Sequence, residues 1–112
     1  MKAAQTMPRI KVSVVAFQEG DLWVAQCVEY DIAAHAPALP KLPEAFEKAI
    51  AENLCINAEL GRQGLDGIPA APPRFRKLFK SGLELKTPRR APASDVGKVE
   101  IGRLRVAEAH AA

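Results

Sequence analysis

Residues 9–36 read RIKVSVVAFQEGDLWVAQCVEYDIAAHA, and the alternation in this stretch decides the fold. Ile10, Val12, Val14 and Ala16 point one way, while Lys11, Ser13, Val15 and Phe17 point the other. That is a strand by its period of two and its β-branched content. Glu19-Gly20-Asp21 is a turn, with Gly20 able to take positive φ. A second strand then runs over 22–29, with Leu22, Val24, Gln26 and Val28 opposite Trp23, Ala25, Cys27 and Glu29. Tyr30-Asp31 breaks the run and Ile32 to Ala36 makes a third strand, closed by Pro37 and Pro40. The product is a three-stranded antiparallel meander. Both of its faces are apolar toward the middle, so both need covering, one by a helix and the other by a second subunit.

Downstream, KLPEAFEKAIAENLCINAEL, residues 41–60, is the clearest helix. Pro43 is tolerated only in a first turn, which sets the start near Pro40 or Lys41. Leu42, Ala45, Phe46, Ala49, Ile50, Ile56 and Leu60 recur at helical spacing and predict one apolar face. Asn53 and Asn57 fall on or beside that face, so each needs a hydrogen-bond partner. Gly61 and Gly64 end the helix, and 65–73 is a proline-rich connector. RFRKLFK, residues 74–80, makes two helical turns with Phe75, Leu78 and Phe79 on one side. Residues 83–87 are a short strand, 88–97 a loop, and 98–106 a last strand whose alternation slips phase at Gly102, the sign of a β-bulge. The expected class is α+β in the order β-β-β-α-α-β-β. It forms one domain over 1–112, with fraying at 1–8 and 107–112. Trp23, Phe46, Ile50, Phe75 and Phe79 are its expected anchors.

The 112 residues suffice for one small core. An apolar fraction of 48% and a charged fraction of 26% are ordinary for a globular chain. Only 5% of residues are aromatic, so the core is aliphatic and alanine-rich, a condition that favours oligomers in small domains. The net charge of +3 is unevenly spread. Arg74, Arg76, Lys77, Lys80, Lys86, Arg89 and Arg90 against Glu84 make that segment +6 and leave −3 for the rest. A basic segment on an acidic body suits an anionic partner or a self-complementary surface. Cys27 and Cys55 have no metal-ligand spacing, and nothing in MKAAQTMPRIKV resembles a signal peptide, so a reduced, cytoplasmic protein without membrane spans is expected.

Chemistry is sparse. His35, oriented by Asp31 or Glu29, is the one arrangement resembling a general base, and its simpler reading is a strand histidine facing solvent or a neighbouring chain. Glu44 and Glu47 lie one helical turn apart without a histidine, so no metal or other cofactor is expected. Gly61, Gly64 and Gly67 follow a helix and read as a cap and flexible connector, not a phosphate loop. Nucleic acid is the physical alternative. RFRKLFKSGLELKTPRR interleaves cations with aromatics, making Arg74, Arg76, Lys77, Lys80, Arg89 and Arg90 candidate phosphate contacts and Phe75 and Phe79 either base-stackers or core anchors, the latter being the simpler reading.

FQEGDLWVAQCVEYDIAAHAPALPKLPEAFEKAI, residues 17–50, resembles the HicB antitoxin-like family. The likeness lies in the acidic Gly turn, the aromatic strand and the short helix opening near a Leu-x-Glu-Ala motif, and it extends over about residues 9–60. It implies a partly preserved RNase H-like αβ fold that usually lacks nuclease chemistry. It also implies binding to a small toxin ribonuclease, and operator binding through a separate C-terminal module. Residues 61–112 carry no ribbon-helix-helix or helix-turn-helix signature, and strand 9–17 carries no acid for a metal site. The expectation is a non-enzymatic, HicB-like interaction protein, homodimeric or larger, joined through its sheet or by exchange of its C-terminal strand.

Overall fold

Strands β1 (Ile10–Glu19) and β2 (Leu22–Cys27) form a hairpin closed by Gly20-Asp21. Gly20 takes φ 62°, the left-handed value that a two-residue hairpin turn needs at its first central position. Strand β3 (Ala33–Ala36) completes the meander against β2. The computed structural model describes residues 10–84 and 99–107. Past β3, a single 3-10 turn at Leu39–Lys41 leads into helix α1 (Leu42–Glu59), with Pro43 in its first turn. Helix α2 (Pro73–Ser81) follows, then the two-residue strand β4 (Leu83–Glu84) and the longer β5 (Val99–Val106).

The five strands lie in the order β3-β2-β1-β5-β4. Neighbours are antiparallel except β1 and β5, which are parallel. A parallel neighbour demands a long crossover. Here the crossover is everything from β2 to β4, including both helices. β5 therefore takes an interior place in the sheet. Pairing along β1 jumps from Val12↔Ile101 to Ser13↔Arg103, which leaves Gly102 as the extra residue of a bulge. A Cβ at Gly102 would stand 3.3 Å from the Lys11 Cβ, so the bulge is a place of close approach as well as a change of phase.

Both sheet faces are covered within one chain. On the first face Val12, Val14, Ala16, Ala25, Cys27, Ala34 and Ala36 meet Leu42, Phe46 and Ile50 of α1. The alanines keep the sheet surface low, and Phe46 and Ile50 fill the space between the layers. Trp23 is half-buried at the edge of this core. On the second face Val15, Phe17, Val24 and Ala107 meet Phe75, Leu78 and Phe79 of α2. The expectation that a second subunit covers this face is thus corrected: α2 does so. Phe75 stacks on Phe17 with centroids 6.0 Å apart and planes at 23°.

The connector between the helices is pinned, not flexible as its glycines suggested. Gly61, at φ 79°, ends α1 in a Schellman motif, its N–H donating to the Ala58 carbonyl (3.1 Å) and the Arg62 N–H to Asn57 (2.8 Å). Leu65 is buried in the α1-side core. The Asp31 N–H donates to Pro69 (2.7 Å) and the Ala71 N–H to Val28 (3.1 Å), so the chain is tied to the turn after β2 as it crosses from one face to the other. Ala107, expected to fray, is buried and donates to the Ala16 carbonyl at 2.9 Å. The remaining expected frayed residues, and the loop at 88–97, lie outside the described residues.

Candidate functional site

The polar groups of the meander serve the fold. Gln26 is 5% exposed, and its Nε2 donates to the Cys27 carbonyl (3.0 Å) and to Asp31 Oδ1 (3.1 Å). Glu29 Oε1 accepts from the Ser13 N–H at 2.7 Å, which extends the β1–β2 ladder past its last backbone pair. The two carboxylates that could orient His35 are therefore engaged by Gln26 and Ser13, and His35 stands exposed on the edge strand β3. Cys27 lies beneath α1 with its thiol pKa pushed up to about 11, first by burial and then by the nearby Glu29 charge. Such a thiol stays protonated at neutral pH and makes a poor nucleophile. The second thiol, Cys55, is free and exposed. Among the described residues no three His, Cys, Asp or Glu side chains group where they could hold a metal ion. Among them, too, no helix is long and apolar enough to cross a membrane.

Two helix surfaces remain. The first is the outer side of α1. Its 18 residues run about 27 Å at 1.5 Å each. Leu42, Phe46, Ile50 and Asn57 are its buried positions, and Ile56 and Leu60, placed by spacing on the core face, are instead 55% and 61% exposed. The correction has a geometric cause: Ile56 is six residues past Ile50, about 120° away around the helix. Glu52 and Glu59, four residues before and three after Ile56, are exposed beside it, Cys55 precedes it, and exposed Lys48 and Arg62 lie further along the chain on either side.

The second surface is the outer side of α2. Arg74, Arg76, Lys77 and Lys80 are all exposed, and the nine-residue helix carries no acid. Its rings face the sheet, so Phe75 and Phe79 act as anchors and are not presented for stacking on bases. The Arg74 guanidinium lies over the Phe75 ring at 4.7 Å, and that of Arg105 over Phe79 at 4.6 Å. Arg105 Nη1 also donates to the Phe79 carbonyl at 3.2 Å, while its buried Nε has no partner among the described residues. Arg103, two residues earlier on the same face of β5, is exposed beside α2. Reading the chain by segments missed Arg103 and Arg105. The signal was present, since beyond the bulge the two arginines alternate with Leu104 and Val106. Arg89 and Arg90 lie outside the described residues. No protein-family model matches the chain, and no curated protein or solved structure matches it either.

Proposed function

We propose that the chain is a HicB-like interaction protein of the antitoxin type, which binds and blocks a small ribonuclease and performs no chemistry of its own. The observation that carries this is the outer surface of α1, where exposed Ile56 and Leu60 lie beside Glu52 and Glu59 on a helix with four acids and one base. An enzyme that takes RNA as substrate presents a basic surface. An acidic surface with an apolar centre complements it: the charges steer the encounter and fix its register, and the aliphatic side chains supply the water-excluding contact. The meander-then-helix order is also the order that the sequence resemblance implies.

The test is to purify the tagged chain from its native host, identify any stoichiometric partner by mass spectrometry, and measure RNA cleavage by that partner with and without an equimolar amount of this chain. The expected partner is small, basic and ribonucleolytic, and is silenced by the chain. Ile56→Ala with Leu60→Ala should weaken that inhibition by roughly 30- to 800-fold, since each buried aliphatic contact contributes about 1–2 kcal/mol. A chain that self-associates without such a partner, or a double variant that inhibits normally, overturns the proposal.

A further inference from the structure

We infer that the outer side of α2, with Arg103 of β5 alongside it, is a binding surface for the phosphate backbone of double-stranded nucleic acid, read without regard to sequence. The inference rests on the second face of the sheet and is independent of what binds α1.

Four observations lead to it. First, α2 sorts its residues completely: Phe75, Leu78 and Phe79 go to the sheet, and Arg74, Arg76, Lys77 and Lys80 go to solvent. Second, Arg103 and Arg105 of the neighbouring strand add positive charge on the same face, and the buried Arg105 Nε has no acceptor among the described residues to offset it. Glu84 pairs in register with Arg105. Third, the size suits a duplex. Nine residues of helix extend about 13–14 Å, and a duplex presents one phosphate per ~1.7 Å of axis, so about eight phosphates lie within reach of five exposed cations.

The fourth observation chooses among anionic partners. Single strands are held largely by stacking on aromatic rings, but Phe75 and Phe79 are turned onto the sheet and Phe75 already stacks on Phe17. An anionic membrane would be met by a basic amphipathic helix that inserts its apolar side, and that side of α2 is committed to Val15, Phe17 and Val24. A helix whose exposed side chains are cations and whose rings are turned onto the sheet suits a rigid array of phosphates.

The test uses the full chain and a labelled 20-base-pair duplex of random sequence, with binding read by fluorescence anisotropy across a salt series. With about four phosphates neutralised, log K should fall against log salt with a slope near −3.6, roughly a 100-fold loss between 50 and 200 mM. Lys77→Gln with Lys80→Gln should flatten the slope by about 1.8, at about 0.9 per phosphate contact. Lys48→Gln, on the opposite layer, should leave it unchanged, which separates a local surface from an effect of net charge. All three lysines are exposed, so the variants should fold, and circular dichroism checks this. Several outcomes overturn the inference: no duplex binding at 50 mM salt, equal effects of the Lys48 and Lys77/Lys80 changes, or a single strand of the same length bound more tightly. Capture by phosphatidylserine vesicles without duplex binding would assign the surface to a membrane instead. Loss of binding on Arg89→Gln with Arg90→Gln, with the α2 variant unaffected, would remove the site from α2.

Discussion

Replacing Asn57 by Asp should destabilise the fold at neutral pH and be partly forgiven by acid. Asn57 is 4% exposed at the end of α1, and its Nδ2 donates to the carbonyls of Gly64 (2.9 Å) and Asp66 (3.0 Å). Those two bonds hold the connector so that Leu65 enters the core between them. Asp keeps the shape, so no cavity forms, but it sets an acceptor against two acceptors. Two hydrogen bonds are lost at about 0.5–1.5 kcal/mol each, and buried carbonyls without donors add about 1–3 kcal/mol. The expected loss is about 3 kcal/mol at pH 7, a large part of the 5–15 kcal/mol typical of a domain, and roughly 10–15 °C in Tm. Burial and facing carbonyls raise the pKa of the new carboxyl in the folded state above its unfolded value. Its protonated form is therefore favoured by folding, and stability lost as pH rises through the folded pKa returns as pH falls below it. Urea denaturation followed by Trp23 fluorescence, at pH 7 and pH 4.5, should show the deficit shrinking by at least 1 kcal/mol in acid. Asn57→Ala, which removes the donor without adding a titrating group, should show a similar deficit at both pH values. A loss under 0.5 kcal/mol at pH 7, or an Asp deficit insensitive to acid, refutes the pinning role.

Cys27 and Cys55 should differ sharply in reactivity. Iodoacetamide at pH 8 should modify one thiol in the native protein, Cys55, and two in urea. Because the folded state holds the Cys27 proton until about pH 11, the thiol's contribution is intact below the unfolded value and falls away as pH rises. Wild type should therefore lose on the order of 2 kcal/mol relative to Cys27→Ala between pH 9 and 11, measured by paired denaturation curves. Gly61→Ala meets no atom within 4 Å but must hold φ 79°, so its cost is backbone strain alone, about 1–2 kcal/mol by thermal melting.

What could be read from the sequence was what neighbouring residues decide together. The meander follows from alternation, the start of α1 from Pro43, and the bulge from the phase slip at Gly102. The oddity of Asn57 within an apolar face was visible as well, though not its partners, which lie seven and nine residues away. The rest depends on contacts between distant segments. Nothing local says that β5 lies parallel to β1, and therefore nothing local says that the second face of the sheet is closed by α2. Ile56 was misplaced because it lies about 120° around the helix from Ile50, and Leu60 because it caps α1 instead of continuing it. The basic surface was legible on α2 and incomplete without the fold, since Arg103 joins it from 22 residues past the end of α2.

The separation of charge across the sheet carries a physical cost that the fold does not need. On α2, Arg74 and Lys77, Lys77 and Lys80, and Arg76 and Lys80 are like charges three or four residues apart, each pair unfavourable by about 0.2–0.5 kcal/mol. A nine-residue helix is too short to persist alone in water. It survives because Phe75, Leu78 and Phe79 seat it on Val15, Phe17 and Val24. Mixed charges on the same helix would have satisfied that packing equally well and added favourable pairs. The exposed acids of α1 lie beyond the sheet, roughly 15–20 Å away by the thickness of the layers and well outside a Debye length at physiological salt. They cannot neutralise α2 from there. The charges of the two helices are thus screened from one another, and a change on one surface leaves the potential at the other nearly untouched.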